Sequence, residues 1–220
     1  MKVVYALTRN LYHTLFPAIR SLLEHNPDCE VIVMCEDDRI DGLPDQCRYI
    51  NVSGQQYFTS GPNMGNYFTY MCMMRAIYAK YIDGDRVINL DVDTIVCDDL
   101  TPIWEVDLIE KHFAAVPEYR GRYKPYGDKY YNMGVAVHHL AQIRKDGLDD
   151  KALEILRTQY CRYLEQDVWN CIGKGVDLPV RYNECFATGY TDNPAVVHYA
   201  GVRNWWNSCT PRYEYFKKYL

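Results

Sequence analysis

The 220-residue sequence lacks three features that would each assign it to a class of protein: a run of like charges, a long apolar segment and closely paired cysteines. Its 24 Lys and Arg residues against 29 Asp and Glu residues give a net charge of −5, with no basic cluster of the kind that binds nucleic acid. No apolar run approaches the roughly 20 residues of a transmembrane helix, and the first residues show no signal-peptide pattern. We therefore expect a soluble, cytoplasmic protein with no nucleic-acid partner and no transmembrane segment.

The nine cysteines include no Cys-x-x-Cys pair, and their odd number does not suit a complete disulfide framework. We expect reduced thiols, because the small Cys side chain packs well in a core, and no zinc site. The 21 tyrosines are unusual, and a tyrosine offers a sugar both an apolar ring and a hydroxyl. With 48% hydrophobic residues the chain can bury one sizeable core and is short for two, so we expect a single domain over residues 1–220.

Apolar runs alternate with helical patterns along the chain. Residues 2–8, 30–35 and 47–52 are typical of buried strands, and apolar residues at helical spacing predict a helix over 11–24 that Pro17 begins or kinks. This alternation predicts an α/β fold with a mostly parallel central sheet flanked by helices. After a long polar loop over 53–66, the remaining predicted elements are a helix over 67–81, strands over 111–117 and 131–137, helices over 149–163 and 165–171, short strands over 177–180 and 195–198, and a solvated helix within 211–220.

The segment Arg86–Val96 is a mostly apolar run that carries two carboxylates, Asp91 and Asp93. In an extended chain, side chains two residues apart point to the same side, so the two acids can converge on one cation. Hard divalent cations favour oxygen ligands, and such a pair leaves coordination positions open for phosphate oxygens. The pattern therefore predicts a metal–diphosphate site.

Other interpretations of these residues exist. An Asp-x-Asp pair after an apolar strand also occurs within the Asp-x-Asp-x-Thr signature of haloacid-dehalogenase-type phosphatases, although there it normally follows the first strand, whereas about 90 residues precede it here. An isolated His198 is more often a core or surface histidine than a ligand, Arg75 on a helix is often an ordinary ion-pair partner, and acidic residues at 165–167 also suit a helix start. Asn132 and Gly134 can merely mark a strand bulge, with Gly134 needed for close backbone approach.

Several short motifs, each weak alone, occur in an order and spacing that together are specific. They are Ala6–Asn10, Arg75, Leu90–Thr94, Tyr131–Val135, Glu165–Asp167, Leu178–Asn183 and His198–Gly201. Through them the chain resembles glycosyltransferase family eight over about residues 3–206. That resemblance implies a GT-A fold, a Rossmann-like nucleotide-binding α/β domain, and a retaining transferase that moves glucose or galactose from UDP-glucose or UDP-galactose to a glycan, lipid-linked glycan or protein acceptor.

The resemblance also implies roles for individual residues. The metal ligands for Mn²⁺, or for Mg²⁺ as a second candidate, would be Asp91, Asp93 and His198, a trio that suits this cation chemically. The nucleotide contacts would be Ala6, Thr8, Asn10, Tyr12, Val92, Asp93, Gly201 and Arg203, the sugar contacts Arg75, Glu118, Asn132 and Gln166, and the catalytic candidates Gln166, Glu165, Asp167 and Arg75. Gln166 would lie on the far face of the anomeric carbon, and because an amide is a poor nucleophile, a same-face internal return is favoured over a covalent adduct.

The chain departs from the family pattern at three places. Glu118 and Glu165 stand where many members carry Asp, which lengthens each arm by one methylene, and Asn204 stands where a Lys is expected, with Arg203 adjacent. A nucleotide-sugar-binding protein with little or no turnover is therefore the alternative hypothesis.

Overall fold

The computed structural model describes residues 1–119, 128–202 and 204–220. The strands are β1 (Lys2–Leu7), β2 (Glu30–Cys35), β3 (Cys47–Asn51), β4 (Val87–Leu90), β5 (Thr94–Val96), β6 (Phe113–Pro117), β7 (Tyr131–His138), β8 (Gly175–Asp177) and β9 (Val196–His198). The α-helices are α1 (Tyr12–His25), α2 (Tyr70–Met74), α3 (Thr101–Trp104), α4 (Leu140–Lys145), α5 (Leu148–Thr158), α6 (Glu165–Ile172) and α7 (Tyr213–Lys217). Short 3-10 helices cover Arg9–Leu11, Arg75–Lys80 and Val180–Tyr182.

The central sheet has seven strands in the order β3-β2-β1-β4-β7-β6-β8, and β5 and β9 form a separate antiparallel pair. Only β7 runs antiparallel to its neighbours β4 and β6, so the sheet is mostly parallel. Helices cover both faces, which explains why β2 and β4 are almost continuously apolar rather than alternating. The predicted α/β fold class is confirmed.

Two hydrophobic clusters lie on opposite faces of this sheet. Side chains of β1 alternate between them, with Val3 and Tyr5 in the cluster that contains α1 and Val4 in the cluster that contains α5 and α6. This alternation follows from the two-residue period of a strand. The sheet is thereby held rigidly between two layers, and the ends of its strands are fixed in space.

Two predicted helices differ from the structure. The segment expected to be one helix over 67–81 begins at Tyr70 and changes to a 3-10 helix at Arg75, with Ile77 outside helical geometry at φ −118° and ψ 26°. Residues 76–79 are all buried, so the segment has no solvent-facing side with the period of a regular helix. In α1 the helix starts at Tyr12 and continues through Pro17, so Pro17 does not begin it.

The terminal segment also differs from the prediction of a solvated helix. The short α7 buries Phe216, and Tyr219 beyond it is buried as well, in a cluster with Ile95, Val197 and Trp205. The aromatic side chains of this segment therefore cover the β5–β9 pair. Among the described residues, the structure has no helix that is both long and apolar enough to cross a membrane.

Candidate active site

The two acids lie in a turn between β4 and β5, not on one extended strand as the sequence suggested. The Thr94 backbone N–H and hydroxyl both donate to the Asp91 carbonyl, at 3.1 and 2.6 Å, and these bonds close the turn. The Asp91 N–H donates to the Gly134 carbonyl at 2.8 Å, which ties the turn to β7. The expected convergence of Asp91 and Asp93 is present, but the turn rather than strand alternation produces it.

His198 reaches the acids because β9 pairs with β5. In that register His198 is opposite Thr94, and the Tyr199 N–H donates to the Asp93 carbonyl at 2.9 Å. The His198 Nε2 atom lies 3.3 Å from Asp93 Oδ1 and 3.7 Å from Asp91 Oδ2. All three side chains offer ligand atoms within 4.8 Å of one another.

This donor set fits a divalent cation. In an octahedral site with bonds of about 2.1 Å, neighbouring ligand atoms lie ~3 Å apart, so the two distances from His198 Nε2 to the acids need only a small contraction. Burial by itself lowers the pKa of His198, but the Asp93 carboxylate outweighs it and raises that pKa to about 10. Burial raises the pKa of Asp93, but the His198 charge outweighs it and holds that pKa below its usual value. A cation would replace the proton that these groups share.

Arg75 bridges the metal site and the start of α6. Its Nη1 donates to Asp91 and its Nη2 to Glu165, which is only 2% exposed. The buried Arg75 Nε has no hydrogen-bond partner among the described residues. The guanidinium is thus held between two carboxylates, and it keeps one unused donor inside the site.

The predicted sugar contacts lie together beside the metal site. Asn132 Nδ2 and Gln166 Nε2 donate to the same oxygen, Glu118 Oε1, at 3.1 and 3.3 Å. The Met133 N–H donates to Gln166 Oε1 at 3.0 Å, which fixes the orientation of that amide. The structure therefore brings Glu118, Asn132 and Gln166 into one hydrogen-bonded group.

Asp167 is held by two other partners. Its Oδ1 accepts from the Tyr130 hydroxyl at 2.6 Å and its Oδ2 from the Tyr163 N–H at 2.9 Å. Burial and the Asp167 charge both raise the pKa of Tyr130, so its hydroxyl stays protonated and donates. These bonds anchor the chain that leads into α6.

The predicted nucleoside contacts line the carboxyl end of β1, at the same edge of the sheet as the acids. Ala6 lies in β1, the Thr8 hydroxyl donates to Asn10, and the Tyr12 hydroxyl lies 3.2 Å from Cys35 Sγ at the end of β2. Open α/β sheets place ligands at this edge. Within the described part of the chain, the buried Glu36 Oε2 at the same edge is left without a hydrogen-bond partner.

Three predicted nucleotide contacts remain, namely Val92, Gly201 and Arg203. Val92 is buried between the two acids, and Gly201 lies in the turn after β9 with φ 73°, where the Val202 N–H donates to the Tyr199 carbonyl. Arg203 lies outside the described residues. Asn204 occupies the left-handed region at φ 53°.

Sequence reasoning did not assign a role to Asn183 in the site. It is fully buried, and its Oδ1 lies 2.8 Å from Nδ1 of His198. The only signal was its place at the end of the Leu178–Asn183 motif. The close approach predicted at Gly134 is real, but the group that approaches is the His198 ring: an added Cβ would lie 2.9 Å from both Asp91 Oδ2 and His198 Nδ1.

Solved structures define the class of protein to which this fold belongs. The galactosyltransferase LgtC, crystallised with donor and acceptor sugar analogues, superposes with a TM-score of 0.79 at 22% identity, over 99% of this chain and 94% of that one. Mouse xyloside xylosyltransferase 1 superposes with a TM-score of 0.64 at 14% identity, over 91% of this chain and 97% of that one. The fold is that of the GT-A glycosyltransferases.

The family follows from the sequence match. The family described as Glycosyl transferase family 8 matches residues 2–210, so the chain belongs to glycosyltransferase family 8. Glycosyltransferase GlyF of Streptococcus pneumoniae serotype 4 is 24% identical over 86% of this chain and 53% of that protein. General stress protein A of Bacillus subtilis (strain 168) is 26% identical over 60% of this chain and 57% of that protein. The chain thus spans about half the length of these relatives. Because the chain belongs to glycosyltransferase family 8, the phosphatase interpretation of the acidic pair is wrong.

Proposed function

We propose that the protein is a Mn²⁺-dependent retaining hexosyltransferase that moves glucose or galactose from a UDP-hexose to a glycan, lipid-linked glycan or protein acceptor. The observation that carries the proposal is the convergence of Asp91, Asp93 and His198 beside the Glu118–Asn132–Gln166 group. A nucleotide-sugar donor requires cation ligands for its diphosphate and polar side chains for its sugar, and this edge of the sheet offers both. Mg²⁺ is the second candidate cation, and a single catalytic domain acting in the cytoplasm is part of the proposal.

The donor would lie across the edge of the sheet. Ala6, Thr8, Asn10 and Tyr12 would hold the uridine, with Val92, Asp93, Gly201 and Arg203 around the nucleotide. The hexose would then extend from the diphosphate toward Glu118, Asn132 and Gln166. LgtC is a galactosyltransferase, and this supports a hexose donor here because the two chains share their fold over nearly their whole lengths.

Transfer requires the bond between the sugar and the diphosphate to break. A bound divalent cation stabilises the charge that develops on the leaving diphosphate. Arg75 holds Asp91 and Glu165 in place through its two terminal nitrogens. Its Nε–H, which has no partner among the described residues, is a hydrogen-bond donor for the leaving group. Gln166 Oε1 already accepts a hydrogen bond from the Met133 N–H, which makes this amide oxygen an even weaker nucleophile. We therefore favour attack by the acceptor on the face that the diphosphate leaves.

The second candidate function is a nucleotide-sugar-binding protein with little turnover. It is favoured by Asn204, which places a neutral side chain on a left-handed backbone where a phosphate-binding lysine is expected. Such a protein would bind UDP and the cation but would not cleave the donor.

One assay tests both functions. Purified protein is mixed with a panel of nucleotide sugars, with Mn²⁺ or with chelator, and UDP release and protein mass are followed. We expect Mn²⁺-dependent UDP release that Asp93→Asn abolishes, while Asp28→Asn, at an exposed position before β2 and at the opposite sheet edge, leaves it unchanged. UDP binding without release would favour the binding protein, and a product anomer opposite to the donor's would refute retention.

A further inference from the structure

A chain of hydrogen bonds runs from the backbone of β7 to the ring of His198. It starts at the Gly134 N–H, which donates to Asn132 Oδ1 at 3.1 Å. Because a backbone N–H can only donate, the oxygen of the Asn132 amide must face it. The nitrogen of the same amide supports this orientation, since Asn132 Nδ2 donates to a carboxylate oxygen of Glu118 at 3.1 Å. Two independent partners therefore fix which way the Asn132 amide points.

The orientation of the Asn132 amide determines that of the Asn183 amide. Asn132 Oδ1 also accepts from Asn183 Nδ2 at 2.9 Å, so the nitrogen of Asn183 faces Asn132 and its oxygen faces His198. Asn183 Oδ1 lies 2.8 Å from His198 Nδ1 and can only accept, so Nδ1 must carry the hydrogen. A neutral imidazole protonated on Nδ1 has its lone pair on Nε2, the atom that faces Asp91 and Asp93.

Burial makes this chain hard to reverse. Asn183 is 0% exposed, Asn132 7% and His198 5%, so water has little access to replace a missing partner. Turning one amide over would bring two donors or two acceptors face to face in the interior, at a cost of roughly 1–3 kcal/mol. Cys185 also raises the pKa of His198, so it is the neighbour that an experiment must separate from Asn183.

We infer that Asn183 is a positioning residue that fixes the His198 ring in the tautomer whose Nε2 can bind a divalent cation, with the direction set by the Gly134 N–H. The inference rests on the proposed function, because it assumes a cation held by Asp91, Asp93 and His198. Removing such an outer partner of a ligating histidine typically weakens metal binding by about 10–100-fold.

The test is a calorimetric Mn²⁺ titration of the protein saturated with UDP. Asn183→Leu should weaken Mn²⁺ binding by about 10–100-fold. Asn183→Asp keeps an acceptor toward Nδ1 but sets a second acceptor against Asn132 Oδ1, so it should lower the melting temperature while keeping a Mn²⁺ affinity close to that of the wild type. Asn63→Leu is the matched control: Asn63 is also a buried amide, but its hydrogen bonds are with Leu156, Gln159 and Cys161, none of which is a cation ligand. We expect it to lower the melting temperature without changing the Mn²⁺ affinity, and Cys185→Ala to leave the affinity unchanged.

A second measurement needs no variant. With Zn²⁺ as a diamagnetic probe, long-range ¹H–¹⁵N spectra of the wild type should show His198 protonated on Nδ1 and bound through Nε2; metal on Nδ1 would overturn the inference. Wild-type Mn²⁺ affinity in Asn183→Leu, equal losses in Asn183→Leu and Asn183→Asp, or a loss in Cys185→Ala alone would each overturn it too. Failure of the proposed function looks different, because wild type and His198→Ala would then bind Mn²⁺ equally poorly.

Discussion

Replacing Gly134 with alanine should remove the cation site while leaving the sheet in place. An alanine Cβ at this position would lie 2.9 Å from Asp91 Oδ2 and from His198 Nδ1, and nearer still to the carbon between the two ring nitrogens of His198. Carbon atoms pack at about 3.5–4.0 Å, so the His198 ring must move away from the added Cβ by on the order of 1 Å, and the Asp91 oxygen by roughly half an ångström. A metal site tolerates errors of only about 0.2 Å in its ligand distances. The substitution therefore displaces two of the three ligands beyond that limit.

The expected results are a loss of Mn²⁺ affinity of at least about 100-fold, since an essential ligand moves away, and overpacking that destabilises the fold by about 1–3 kcal/mol. The assays are Mn²⁺ calorimetry in the presence of UDP and urea unfolding. Gly54→Ala is the matched control, because a Cβ there would have nothing within 4 Å. Wild-type Mn²⁺ affinity in Gly134→Ala would refute the reasoning, because the ring would then have moved without effect on its ligand atom.

Three further predictions concern side chains at or near the site. Arg75→Met should destabilise the protein by about 3–5 kcal/mol in urea unfolding, because it leaves the buried Glu165 carboxylate without its cation. Adding Glu165→Gln to the same chain should recover part of this loss. Strictly additive losses of unfolding free energy would show that Arg75 and Glu165 are not coupled. Gln166→Ala should lower turnover on the order of 100-fold with UDP affinity nearly intact, and wild-type turnover would contradict its role at the sugar. Burial, then the Arg75 charge, lowers the pKa of His138 to about 3 from 6.5, so only the unfolded chain takes up the proton as the pH falls below 6.5. The wild type should therefore lose on the order of 2 kcal/mol more than His138→Phe between pH 7 and pH 5, and parallel losses would show that this histidine is not held neutral.

The strands and the acidic pair were predictable from the sequence because their signals are local. A strand covered on both faces needs an almost unbroken apolar run, and Glu30–Cys35 shows one, so β2 was predicted with its observed bounds. Asp91 and Asp93 are two residues apart, and almost any tight local conformation keeps them near each other. For this reason their convergence was predicted correctly even though the expected extended geometry was wrong.

Helix geometry at Arg75–Lys80 and burial of Phe216 were not predictable, because both depend on what packs against those segments. Residues 76–79 face neighbours on every side, so their sequence has no polar stripe by which to recognise the change of helix type. The local sequence around Phe216 would be the same whether its side chain faced water or a neighbouring pair of strands. Only the presence of β5 and β9 beneath it decides that it is buried.

By itself, the sequence determined the α/β class, the positions of most strands and the two neighbouring carboxylates, since periodicity and burial of short segments are properties of consecutive residues. The family resemblance, not a local pattern, implied that His198 joins the two acids, and the tertiary structure shows the contact with Asp93. The tertiary structure alone decided that Arg75 joins Asp91 to Glu165 and that the Asn183 amide points its oxygen at the imidazole. These contacts join segments far apart in the chain through strand pairing and helix packing. Hydrogen-bond direction is set by the partners that folding brings together, and a linear pattern of residues carries no record of those partners.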